Sequence, residues 1–183
     1  MTICTAFRIL ALSASAPLGP SSYAKNPASL PVVAAAVEEV NDLRTALVHA
    51  LPPGGKVDDA TFAQVCKPVG ARAQALGKEH GWTFIQMSDR YRNPKHKADV
   101  EAESALKAFR SDETLQSFWT KSKSGDKIQH RYFRRIVVDQ PCLACHGDKD
   151  ARPAFIKSKY PDDRAFGFGA GDLRGVYSVT WTE

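Results

Sequence analysis

The chain has 183 residues, 43% of them hydrophobic and 25% charged, with a formal net charge of +5. This balance excludes a disordered chain, which needs more charge and fewer apolar residues, and the length suits one domain with a real core rather than two. No apolar run reaches the roughly 18 residues of a membrane-crossing helix, and Lys and Arg alternate with acids, so the positive charge reads as a solvated face or a docking patch for an acidic partner rather than a nucleic-acid surface.

Residues 1–24 have the order of a secretory signal peptide. Arg8 is their only charge, an apolar stretch covers 7–12, and Ser22-Tyr23-Ala24 puts small residues at −3 and −1 of a cut before Lys25. The alternative is a disordered arm. Export predicts a periplasmic or secreted protein.

Residues 25–57 form a linker and an amphipathic helix over 32–50, with Val33, Val37, Val40, Leu43 and Leu47 at helical spacing; Pro52-Pro53-Gly54-Gly55 stops it. The main domain is predicted to span 58–183. Asp58 or Asp59 caps a second helix with Phe62, Val65, Cys66, Val69, Ala73 and Leu76 on its apolar face; Pro68 bends it and Gly81 ends it. There follow a strand over 82–87, a turn at Arg92-Asn93-Pro94 and a helix over 98–109. Strands over 115–120 and 128–138 are joined by a turn at 122–126, and after the cysteine motif a long loop leads to a strand over 175–181. Helices first and mainly antiparallel strands later give an α+β fold.

The chemistry lies in Cys142-Leu143-Ala144-Cys145-His146. Cys-x-x-Cys-His attaches a c-type haem: each thiol adds to a vinyl group, and the histidine becomes an axial ligand to the iron. The prediction is one covalent haem c on Cys142 and Cys145, with His146 on the iron. A disulfide is the plain alternative. A thioredoxin-like dithiol needs a βαβ context and gives His146 no task. A Cys3His zinc site from Cys66, Cys142, Cys145 and His146 is the remaining rival, weakened because Cys66 supplies no second knuckle.

Of four cysteines, Cys4 leaves with the signal and two are consumed by haem, so Cys66 is an odd thiol in an oxidising compartment. The residues alone leave two readings open, an iron ligand or a small buried core filler. His49 and His80, near helix C-termini, read as surface residues; His96 and His130 remain able to approach iron. The glycine cluster Gly167-Phe168-Gly169-Ala170-Gly171 leads into a strand rather than a helix, against a nucleotide loop. No catalytic constellation stands out, so no enzyme is expected.

Three blocks carry a family resemblance: Val65-Cys66-Lys67, Arg90-Tyr91-Arg92-Asn93-Pro94, and the stretch from Cys142 through Tyr160-Pro161-Asp162-Asp163 to Gly171-Asp172-Leu173-Arg174-Gly175. They resemble the single-haem c proteins with a PAS-like fold found in cyanobacteria and many proteobacteria, long catalogued as a domain of unknown function. The resemblance implies a PAS-like antiparallel sheet flanked by helices, with His146 and Cys66 as the two axial ligands. Gln86 departs from a basic residue in that pattern, and His96 from a neutral amide. The expected function is a periplasmic redox or diatomic-gas sensor acting through a separate redox or signalling partner, with an electron-transfer cytochrome as the alternative.

Overall fold

The computed structural model describes residues 29–51 and 57–183. The expected signal segment and the Pro52–Gly55 stop lie outside these residues. In chain order the elements are α1 (Leu30–His49), α2 (Asp59–His80), β1 (Thr83–Met87), a 3-10 turn (Pro94–His96), α3 (Val100–Ser111), β2 (Ser117–Ser124), β3 (Lys127–Val137), a 3-10 turn (Gln140–Cys142) running into α4 (Leu143–His146), α5 (Ala154–Lys159) and β4 (Leu173–Thr182).

Local chemistry sets most of these boundaries. The Asp58 carboxylate accepts from the Thr61 amide at 2.8 Å and starts α2, while Gly81, at φ 71°, ends it. Asp99 caps α3 in the same way, accepting from the Ala102 amide at 2.9 Å. Helix α2 continues through Pro68, which forfeits one backbone bond without ending the helix.

The four strands pair antiparallel in the order β1-β4-β3-β2, and their period of two sorts the core into two layers. Tyr132 and Ile136 on β3 and Tyr177 and Val179 on β4 pack under α1 and α2. Phe133 and Val176, on the opposite face, pack with Leu106 and Phe109 of α3. The result is an α+β arrangement with the sheet between helices, as a PAS-like fold requires. Gly175 lets β4 lie against β1, because a Cβ there would stand 2.5 Å from the Met87 carbonyl oxygen.

Two local expectations change. Strand β2 runs through Ser122-Lys123-Ser124, leaving a connection of only Gly125 and Asp126, with Gly125 at φ 63°. Pairing of Lys121 with His130 and of Lys123 with Ile128 overrides the weak strand preference of these residues. Helix α5 falls where a loop was expected; six residues are too few to show a helical period.

Candidate functional site

A cleft of about 320 Å³ opens where β1 and β3 end and β4 begins, under α1 and α2. This falls in the usual range for ligand-binding clefts, about 300–1,000 Å³. Val48, Phe62, Val65, Val69 and Ile136 give it mostly apolar walls. Cys66, Cys142, Cys145, His146 and His96 all reach it, so the fold gathers residues up to 80 positions apart in sequence. His130 does not. It is buried on β3, stacked on Trp181 at 5.0 Å, with Nε2 3.2 Å from the Glu183 carboxylate. It is thereby removed as a candidate ligand. His80 stacks on the Trp82 ring at 4.2 Å, away from the cleft.

The motif is held at both ends. The Cys142 amide donates to the Asp139 carbonyl at 2.9 Å, opening the 3-10 turn. The Asp139 carboxylate is bound by Arg44 of α1 at 2.8 Å. At the other end the Gly147 amide donates to the Leu143 carbonyl at 2.8 Å, and a Cβ on Gly147 would stand 2.7 Å from that same oxygen. Glycine is required by this close approach. The segment Ala165–Phe168 then returns alongside, with the Phe168 amide donating to the His146 carbonyl at 3.0 Å.

This return defines the imidazole. His146 Nδ1 lies 2.8 Å from the Ala165 carbonyl oxygen. A carbonyl can only accept, so Nδ1 carries the proton and Nε2 keeps a free lone pair. Arg92 Nη2, 3.3 Å from the same nitrogen, is a neighbouring donor rather than a partner; it donates to the Cys145 carbonyl at 2.7 Å. Burial, followed by the charges of Arg174 and Arg92, holds the His146 pKa well below its usual value. A neutral imidazole with a free lone pair is the form a metal binds.

Cys66 corrects one of its two readings. The buried positions of α2 are Val65, Val69, Ala73, Leu76 and Gly77, and Cys66 is exposed. One residue turns a helix by about 100°, enough to move the thiol from the packed face to the cleft. It is no core filler. Its exposure is to the cleft, whose surroundings still desolvate it: burial, followed by the neighbouring Cys145, pushes the thiol pKa up to about 11. His96 shares the cleft, with its pKa lowered by burial against an opposing bond to the Gln86 main chain.

Sequence reasoning gave no role to Asp163, yet its side chain is only 1% exposed and organises the layer behind the imidazole. It takes Arg152 Nη1 at 2.6 Å, stands 3.5 Å from Arg92 Nε, and accepts from the Ala165 amide at 2.8 Å. One carboxylate thus places both the arginine and the carbonyl that flank His146. Its only signal in the sequence was membership of the Tyr-Pro-Asp-Asp block.

A family model described as Tll0287-like: Tll0287 matches residues 28–182. The chain belongs to the Tll0287-like family. Among solved structures, the crystal structure of the cyanobacterial heme-protein Tll0287 is similar at 42% sequence identity and a TM-score of 0.76, covering 86% of this chain and 97% of that one. No curated protein matches the chain.

The residues of this Tll0287-like cleft fit a haem c. Its apolar walls suit a porphyrin, its thiols and imidazole are the required donors, and its cations suit carboxylate substituents. Arg44, Arg92 and Arg174 all line it. Arg174 donates to the Arg90 carbonyl at 3.0 Å but has no carboxylate within 4 Å among the described residues. Burial, followed by the charge of Arg92, lowers its pKa to about 10. Among the described residues the Nε groups of Arg44 and Arg92 have no hydrogen-bond acceptor, the 3.5 Å approach of Asp163 to Arg92 being an ion pair only. Among the described residues Cys142 and Cys145 are both free rather than bridged. Among the described residues no three His, Cys, Asp or Glu side chains gather as a metal-ion cage. Cys66, Cys142, Cys145 and His146 line the same cleft without forming such a group.

Proposed function

We propose that the chain is an exported single-haem c-type protein, with its haem joined to Cys142 and Cys145 and ligated by His146 and Cys66, and that it acts as a redox or diatomic-gas sensor. The observation that carries the haem reading is the free Nε2 of His146 on the cleft shared by the motif thiols and Cys66. Haem bound there supplies a one-electron couple and, once a ligand leaves, a position for a diatomic gas. The chain's own groups do the rest. The Ala165 carbonyl holds the imidazole in one tautomer and orientation. The apolar walls limit water. Arg92 and Arg174 place positive charge beside His146 and favour the reduced state, whereas a Cys66 thiolate favours the oxidised one.

Sensing is preferred to simple electron transfer because of Cys66. Cys66 would hold the haem iron as a thiolate, and the desolvation that raises the free thiol's pKa would favour a neutral, dissociated thiol. A separate redox or signalling protein would receive the change.

The test uses protein purified from a periplasmic fraction, with acid–acetone extraction and spectra of both oxidation states with and without carbon monoxide. The expected result is haem retained on the polypeptide, lost in a Cys142→Ala/Cys145→Ala variant, a thiolate signature in the ferric state and carbon monoxide binding in the ferrous state. Extraction of all the haem, or stoichiometric zinc in its place, overturns the haem reading. Haem retained without carbon monoxide binding favours the electron carrier. Cys66→Ser should raise the reduction potential and remove the thiolate signature; an unchanged ferric spectrum removes Cys66 as ligand and leaves His96.

A further inference from the structure

On the α3 face of the sheet lies a second cavity of about 270 Å³ that shares no lining residue with the cleft. Three arginines line it. Arg110, from the end of α3, is neutralised by Asp89 at 2.5 Å. Arg135, from β3, is only 5% exposed; its Nη1 donates to the carbonyls of Glu113 and Leu115, and among the described residues its Nε has no partner. Arg90 lies over the Phe168 ring, Cζ 3.8 Å from the centroid, and among the described residues its guanidinium has no carboxylate within 4 Å. Glu113 and Asp172 also line the cavity, but both are exposed and neither pairs with a guanidinium. The Asp172 carboxylate accepts from the Gly169 amide at 2.8 Å instead.

Arg90 and Arg135 therefore line one concave polar space, and among the described residues neither has a carboxylate within 4 Å. An anion in that space would offset positive charge that no adjacent carboxylate neutralises. The planar fork of a guanidinium matches tetrahedral oxyanions through paired N–H bonds. We propose that this cavity is a binding site for a small oxyanion of the phosphate or sulfate class, held by Arg90 and Arg135. The bound anion would lie beside Phe168, whose ring meets His146 edge-on at 6.2 Å. The site is thus one aromatic ring from the imidazole, although its existence does not depend on the haem reading.

The test is isothermal titration of the purified full chain with inorganic phosphate and, separately, sulfate, at constant ionic strength in chloride buffer, together with thermal unfolding. Saturable binding of one anion per chain is expected, with a matching rise in Tm. Arg90→Gln, which removes a half-exposed charge, should weaken binding about tenfold or more. Arg135→Lys keeps the charge in the core but loses the fork, and should also weaken it. Glu113→Gln removes negative charge from the lining and should tighten it. Absence of saturable binding to both anions, or equal binding by wild type and Arg90→Gln, overturns the proposal.

Discussion

Replacing Asp163 with alanine tests the layer that positions His146. The carboxylate is 1% exposed, and its partners Arg152 and Arg92 are 9% and 11% exposed, so water can do little to replace it. Removing one side of a buried pair costs about 3–5 kcal/mol, because a charge is left behind without compensation. The Ala165 amide also loses its acceptor, an effect within that total rather than added to it, since the groups share one network. At about 2–4 °C per kcal/mol for a chain of this size, Tm should fall by about 6–20 °C. Asp163→Asn keeps an acceptor for Ala165 while losing the charge, and should fall between wild type and alanine. The control is Lys159→Ala, which breaks an exposed pair with Asp59 and should cost no more than about 1 kcal/mol. Urea unfolding followed by circular dichroism measures all three. If Asp163→Ala costs no more than Lys159→Ala, the carboxylate is not the organising group described.

Other outcomes follow from packing and ionisation. Gly175→Ala should destabilise the chain and perturb pairing between β1 and β4, since its Cβ would meet the Met87 carbonyl at 2.5 Å; amide exchange at β1 would show this, and unchanged protection there would contradict it. Phe109→Ala, fully buried between α3 and the sheet, should cost about 3–5 kcal/mol in urea unfolding. In a haem-free Cys142→Ala/Cys145→Ala background, burial still raises the pKa of Cys66 and contributes stability that is complete below the unfolded thiol pKa, about 8.5, and is lost over the alkaline interval above it. The urea midpoint should fall across that interval, and Cys66→Ala should flatten the fall. An identical pH dependence in both chains would show that the thiol is not desolvated by the fold.

Much of this protein is written in short-range signals. The Asp58-Asp59 pair marks a helix start and Gly81 a stop, because capping depends on neighbouring backbone groups alone. Cys142, Cys145 and His146 are equally legible, since the spacing of a covalent attachment is local chemistry. The placement of other groups was decided by tertiary structure. Whether Cys66 packed into the core or faced a cleft depended on a single helical step, which only the packing of α2 against the sheet sets. His96 and His130 look alike in sequence, yet β3 carries His130 into a stack with Trp181 while the turn after β1 brings His96 to the cleft. Asp163 gains its role from Arg92 and Arg152, 71 and 11 positions away, because ion pairing acts through space and a carboxylate carries no mark of the cations the fold will bring to it.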